Sequence, residues 1–376
     1  TTEIYTLSLH DALPISSGGV LKYSQSGNSS VTINGRGPVL SNARFEIMNS
    51  GSRFNMSGTG TLTLVRGGST GAFGDIYIRP ENSSVTGGTI VIQTVTGISA
   101  AEETFKADIN PAINNFTITG FAATDAARVT LSVNPLVLKG DLTISNANSY
   151  LTTNNLNVTI GGNLTNSGTY TYGTNTTTFN GSTQQILGST TSNFYKLSVS
   201  PVTSLTVNNN FTVNNTLDII SGTLILANKR LTLLGNITNN GSYTDDNNTG
   251  GVFLSGSTLQ QISGNGSFGR LELNNIQGAR ANNDITIQNN LILTLGKLDI
   301  GSNLLTLGLN GSIGGAPYGL NNMIVSDGVT SSFGVRKFFD IIAAPANFTF
   351  PIGVSGKYTP AIYSIISNES VGYINI

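Results

Sequence analysis

The chain has no cysteine, no tryptophan and a single histidine among its 376 residues. Without cysteine there is no disulfide framework, no iron–sulfur cluster and no thiolate zinc site. Charge is scarce as well. Asp, Glu, Lys and Arg make up 10% of the chain, against about 25% in an average globular protein, and the net charge is −1. No basic run exists to neutralise phosphates, which argues against nucleic acid as a partner. No stretch of about 18 apolar residues occurs, so no membrane-spanning helix is expected. Hydrophobic residues, at 38%, are spread in short triplets and supply enough apolar surface to exclude disorder.

Residues 1–16, "TTEIYTLSLHDALPIS", share none of the Asn-, Gly- and Thr-rich texture that follows and hold the single histidine, His10. Glu3, His10 and Asp11 interrupt any apolar leader core, and no basic segment precedes one. The stretch resembles the translation of a common short-read sequencing adapter. That resemblance implies a non-native segment packing onto nothing, a native N-terminus outside the sequence, and no histidine in the native protein.

Internal repeats dominate the remainder, with a long period of about 75 residues. "GNLTNSGTY" at 162–170 recurs as "GNITNNGSY" at 235–243, and "GSTQQI" at 181–186 as "GSTLQQI" at 256–262. "KLSV" at 196–199 recurs as "RLEL" at 270–273, and "RLTLLGN" at 230–236 as "LLTLGLN" at 304–310. A fainter copy lies upstream, with "VTL" at 129–131 matching "LTV" at 205–207. Inside the long repeat run closely spaced apolar-x-apolar triplets: Leu197/Val199, Leu205/Val207, Phe211/Val213, Leu217/Ile219, Leu224/Leu226 and Leu231/Leu233. Each puts two apolar side chains on one face and a middle residue, often Thr or Ser, on the other. Asn and Gly between triplets accept the left-handed and turn conformations that corners need. Such short strands suit a chain that runs a side, turns a corner and runs again. Three sides make a coil of about 20 residues that pairs with the next coil.

The same spacing holds at Phe45/Ile47, Phe54/Met56, Leu62/Leu64, Ile76/Ile78 and Ile90/Ile92, and "ETFKADI" within 102–109 alternates as a strand. The expected fold is all-β: a right-handed parallel β-helix (β-solenoid) over 17–318, followed by the start of a separate β-sandwich-like domain over 319–376. That boundary rests on "GAPYG" and on Pro345, Pro351 and Pro360, which would interrupt coil-to-coil ladders. The chain stops in mid-alternation at "SVGYINI", so a truncated C-terminus is expected too. Uncovered solenoid ends with little charge predict self-association.

The run "FNGSTQQI…NFYKLSV…SLTVNNNFTVNNTLDIISGTLILANKRLTLLGN" is similar to the repeat strings of large adhesin-like surface and secreted proteins from bacteria that use type IX secretion. "FTFPIGVSGKYTPA" at 348–361 is similar to a motif that follows such strings. The resemblance implies an exported, extracellular or cell-surface location and a structural or adhesive stalk with no enzymatic activity. Its partners would be surface glycans or neighbouring domains of the same protein.

Without a native His or Cys, Ser-His-Asp, Cys-His and His-zinc arrangements cannot be built, so no catalytic, cofactor or metal residues are assigned. Carboxylate pairs remain, as in polysaccharide-cleaving β-helices, and a polysaccharide-binding or polysaccharide-cleaving role is the alternative. Its best candidates are Asp245 and Asp246 in "TDDNNTGG". As strand neighbours they point to opposite faces, so the reading preferred is a solvated loop, or at most a loose calcium site. Asp141, Asp218, Glu272, Asp284 and Asp299 fall one per coil as solubilising charges. Several acidic residues on one outer face of consecutive coils would favour the alternative; scattered ones favour the stalk. Ice binding is a third reading. It requires Thr-x-Thr with both hydroxyls outward on successive coils, and only "TYTYGTNTTTF" at 169–179 stands out. Asn residues in "VNNNF", "VNNT" and "ELNNI" are expected to stack amide on amide at coil corners.

Overall fold

A computed structural model describes residues 7–8, 22–33, 45–48, 50–68, 75–328, 330, 332–341 and 345–376. Among these every regular element is a β-strand, and most are very short. The chain divides into two compact units, Thr1–Tyr195 and Lys196–Ile376, each a stack of parallel three-sided coils.

In the N-terminal unit the first face is built from Ser30–Ile33, Thr61–Leu64, Thr89–Gln93, Asn115–Thr119, Leu142–Ile144, Leu164–Asn166 and Thr183–Leu187. The second face holds Phe45–Ile47, Ile76–Ile78, Thr104–Ile109, Ala127–Leu131, Ser149–Thr152 and Thr169–Thr171. The third closes with Lys22–Gln25, Arg53–Met56 and Asn82–Val85, and later with Leu136–Leu138, Val158–Ile160 and Thr176–Phe179. The alternation of each triplet carries through to packing. Leu62, Ile90, Phe116, Leu142, Leu164 and Ile186 form one buried column, each beside the next. Burial of such a side chain is worth about 1.5–3 kcal/mol, so the columns hold the coils together. Coils here are longer than the sequence pattern implied, since Leu62 pairs with Ile90 and Ile90 with Phe116. They shorten toward the end of the unit, where Leu142 pairs with Leu164.

Leu7–Ser8 pairs in parallel with Val31–Thr32. This corrects the expectation that residues 1–16 touch nothing; the rest of that segment, His10 included, lies outside the described residues. "ETFKADI" forms the expected strand, Thr104–Ile109.

In the C-terminal unit the first coils are short, and coils lengthen again toward its end, where Leu298 pairs with Ile324 and Leu305 with Val335. Leu197 pairs with Leu217 and Leu217 with Ile237, so the chain returns to the same face at even intervals. Phe211, Leu231, Val252, Leu271 and Leu291 make a buried column on a neighbouring face. The long repeat does not return to its own face. "KLSV" supplies a strand beside Leu217–Ile219, whereas "RLEL" supplies one beside Gly251–Leu254, eleven strands further on. "RLTL" and "LLTL" are likewise eleven strands apart and belong to different sheets. Eleven sides fall one short of the twelve that complete four coils, so each copy lands one side early.

Parallel stacking also runs past residue 318. Leu298 pairs with Ile324, Leu305 with Val335, and Ile324 with Ile352. The change of texture marks a change of pairing instead. Gly334–Phe339 takes the antiparallel partner Gly372–Asn375, and Ala346–Phe350 pairs antiparallel with Ala361–Ile365. Pro345, Pro351 and Pro360 lie between strands, and the Pro351 carbonyl still accepts the Ile324 N–H at 2.8 Å. The ladder therefore survives the missing donors.

Corners are held differently from the expected amide stacks. The Asn115 side-chain oxygen accepts the N–H of Asp141, the Asp141 carboxylate that of Asn163, and Asn163 that of Gln185, at 2.6–2.8 Å. Asn210, Asn236 and Asp284 do the same in the C-terminal unit. Each side chain thus occupies a backbone donor of the next coil. Gly235 fits its corner because a Cβ there would collide with the carbonyl of Asn215.

Candidate functional site

The two aspartates singled out in the sequence are separated by their partners. Asp246 closes its own loop: its Oδ1 accepts the N–H of Asn248, Thr249 and Gly250, and its Oδ2 the Thr249 hydroxyl. The Gly250 N–H, aided by those of Asn248 and Thr249, holds its carboxyl down to about 2 against the opposing effect of desolvation. Asp245 turns the other way, accepting from the Arg270 N–H, the Asn289 amide at 2.9 Å and the Asn247 N–H at 2.7 Å. Asn247 takes a positive φ of 57° to make that turn. Nearby, the Tyr243 hydroxyl donates to the Arg270 carbonyl, and burial raises its ionisation well above the ordinary phenol. All four aspartate oxygens accept from donors of the chain itself, an arrangement that shapes a loop.

The single outward carboxylates serve neighbours as well. Glu272 pairs with Arg270 at 2.7 Å and accepts from Thr294, and Asp299 lies 3.6 Å from Arg280. Asp141 and Asp284 cap the corners described above, and Asp218 lies on its ladder between Ser198 and Thr238.

A different set of acids is buried in the N-terminal unit. Glu46, Asp75, Glu102, Glu103, Asp108 and Asp125 are all buried. On the second face Glu46, Tyr77 and Asp108 occupy one register across three coils. Arg79 pairs with Asp108 at 2.6 Å and lies 5.1 Å from the Tyr77 ring, while the Asn134 amide donates to Asp108 at 2.6 Å. Glu103 pairs with Arg128, which lies over Tyr150 at 4.3 Å. Glu102 pairs with Arg66 and accepts from the Ser99 N–H and hydroxyl. Asp75 accepts the Lys106 N–H, and Asp125 that of Ile98. A carboxylate bound to a guanidinium and an amide has its oxygens engaged by the chain itself, which suits a supporting role. Among the described residues no three His, Cys, Asp or Glu side chains converge as a metal would need.

These acids carry no local signal, because "FEI", "IYI" and "FKADI" resemble any other strand until their register is known. The glutamines were more legible. In "STQQI" and "STLQQI" the first Gln of each pair, Gln184 and Gln260, points inward and is buried. Each amide donates to two carbonyls of the previous coil and accepts a glycine N–H of its own corner. Their recurrence in both repeats was the available sign.

A cleft of about 450 Å³ opens in the C-terminal unit, lined by Ser326, Phe333, Ile352, Thr359 and Asn375 among others, and its lining has no ionisable side chain. Lys337 is a separate feature. It is buried, its ammonium donates to the carbonyls of Gly308 and Leu309 at 2.8 and 2.7 Å, and the Phe339 ring lies 5.3 Å away. Desolvation lowers its pKa to about 8.

No protein-family model matches the chain, and neither the curated proteins nor the solved structures yield a match.

Proposed function

We propose that this chain is a structural or adhesive module, non-enzymatic, of a large exported bacterial surface protein. The observation that supports it best is the use of polar side chains in the regular coils. Asn and Asp at corners, and Gln within, are engaged by the backbone of adjacent coils. Such residues build a stack in which each coil templates the next. The repeat texture of exported adhesin-like proteins points the same way. Displayed on a non-adherent bacterium, the chain should raise attachment to glycan-coated or abiotic surfaces or extend a fused binding domain, and should release no sugar from any polysaccharide.

One observation favours the polysaccharide reading. Glu46 and Asp108 flank Tyr77 on one face of consecutive coils. Two coil spacings of about 4.8 Å set their backbones about 9.6 Å apart. That lies just beyond the range of about 6.5–9.5 Å between the carboxyls of inverting glycosidases, so the two side chains would have to lean toward each other. Release of reducing ends, abolished by Asp108→Asn or Glu46→Gln, would replace the stalk reading with this one.

A further inference from the structure

The outer surface of the first face of the N-terminal unit carries paired outward hydroxyls on two successive coils, Ser30/Thr32 and Thr61/Thr63, and single ones on the coils that follow. Ser30, Thr61, Thr89 and Asn115 stand in one outward column on four successive coils. Two residues along each strand, Thr32, Thr63, Val91 and Thr117 form a second column, extended by Thr143 and Thr165. Inward neighbours such as Leu62, Ile90 and Phe116 are buried, so the alternation holds these side chains outward. Ser30 is exposed and the others are half-buried, as on a flat sheet facing solvent. We propose that this face is an ice-binding surface.

Geometry and charge both support the assignment. Coils repeat about every 4.8 Å, and residues two apart along a strand are about 6.7 Å apart. The result is a two-dimensional grid, comparable in both directions to oxygen spacings in ordinary ice. Threonine is stiff about χ1, so the grid is set before any ligand arrives. Hydrogen bonds add to that order. The Thr61 hydroxyl donates to Ser30 at 3.0 Å, the Asn115 amide reaches Thr89 at 3.4 Å, and the Thr119 and Ser145 hydroxyls lie 2.9 Å apart. Hydroxyls anchor lattice waters while the methyl groups fill the gaps between them. Each contact is weak, but a rigid array engages many at once with little ordering cost.

Over the first four coils neither column holds a charged side chain, which fits a neutral lattice, and the exposed Asp141 ends the first column on the fifth. The columns hold no aromatic side chain either, whereas a crystalline polysaccharide calls for ring platforms. A soluble ligand would have no reason to match a repeat sustained over several coils.

The test is ice-recrystallisation inhibition and thermal hysteresis by the full chain. Thr63→Tyr and Thr117→Tyr place a bulky ring in mid-grid, and Thr178→Tyr places one on the outer surface of another face. The parent and Thr178→Tyr should inhibit recrystallisation, and each grid variant should lose activity by about tenfold or more at unchanged circular dichroism. Should a tyrosine variant unfold, the Thr63→Val/Thr117→Val double variant keeps side-chain shape, removes two hydroxyls and should still lose activity. An inactive parent, active grid variants, or equal loss in Thr178→Tyr would overturn the proposal. So would retention on crystalline cellulose or chitin without any effect on ice.

Discussion

The two units follow one rule for their sides and different rules for what lies between them. Where coils are short, as between Leu197, Leu217 and Ile237, almost all of the chain is spent on sides and corners. The described residues of that unit bury one charged side chain, Lys337. Where coils are long, as on the first face from Ser30 through Thr61 and Thr89 to Asn115, chain is left over for excursions. One of them, between Thr89–Gln93 and Thr104–Ile109, carries the buried Glu102 and Glu103. Folding extra chain near an outer face removes water from it. A carboxylate left there needs a cation or N–H donors, because an unpaired buried charge is expensive. Where extra chain covers an outer face, ion pairs and N–H donors hold the acids that it buries.

Both sides of this contrast can be measured. The largest effect belongs to the rule the units share. Leu231→Asp buries an unpaired charge in a column and should cost more than about 4 kcal/mol in denaturant unfolding of the full chain. A smaller cost would mean that the column tolerates water.

Next is the difference itself. Asp108→Asn should cost about 3 kcal/mol, since the Arg79 guanidinium and the Asn134 amide lose the buried charged acceptor they share. In the C-terminal unit, Asp299→Asn removes a half-buried partner of the exposed Arg280, 3.6 Å away, and should cost less than about 1 kcal/mol. Equal costs would erase the distinction.

The buried amide should rank below the buried ion pair. Gln260→Leu keeps the volume but frees two carbonyls and a glycine N–H, for about 1–3 kcal/mol.

Lys337 gives the C-terminal unit a pH signature. Its folded pKa of about 8 lies below the ordinary lysine value of 10.5, so the unfolded chain binds the proton more tightly. Stability contributed by this group should therefore rise as pH increases from about 8 to 10.5. Lys337→Met should flatten that segment of the melting profile. A profile that falls there in the parent and is unchanged by the variant would contradict the assignment.

The smallest effect tests the outward side of the rule. Thr232→Ser, between the buried Leu231 and Leu233, should change stability by less than about 0.5 kcal/mol.

Much of this architecture was legible in the residues alone. Alternation within a triplet is a local property, because successive side chains on a strand point to opposite faces whatever the strand pairs with. Phe54/Met56, Leu62/Leu64, Leu217/Ile219 and Leu231/Leu233 therefore read correctly as interior, and the Asn and Gly between triplets read correctly as corners. What sits beside what was a different matter. Register between successive coils depends on how much chain each corner consumes, which no triplet records. Only the tertiary structure brought Glu46, Tyr77 and Asp108 into one line, and Ser30, Thr61 and Thr89 into another. It also carried the parallel ladder past residue 318. The long repeat shows the division most clearly. Its copies share a sequence because every side obeys the same inward–outward rule, and they occupy different faces because eleven sides do not close a whole number of three-sided coils.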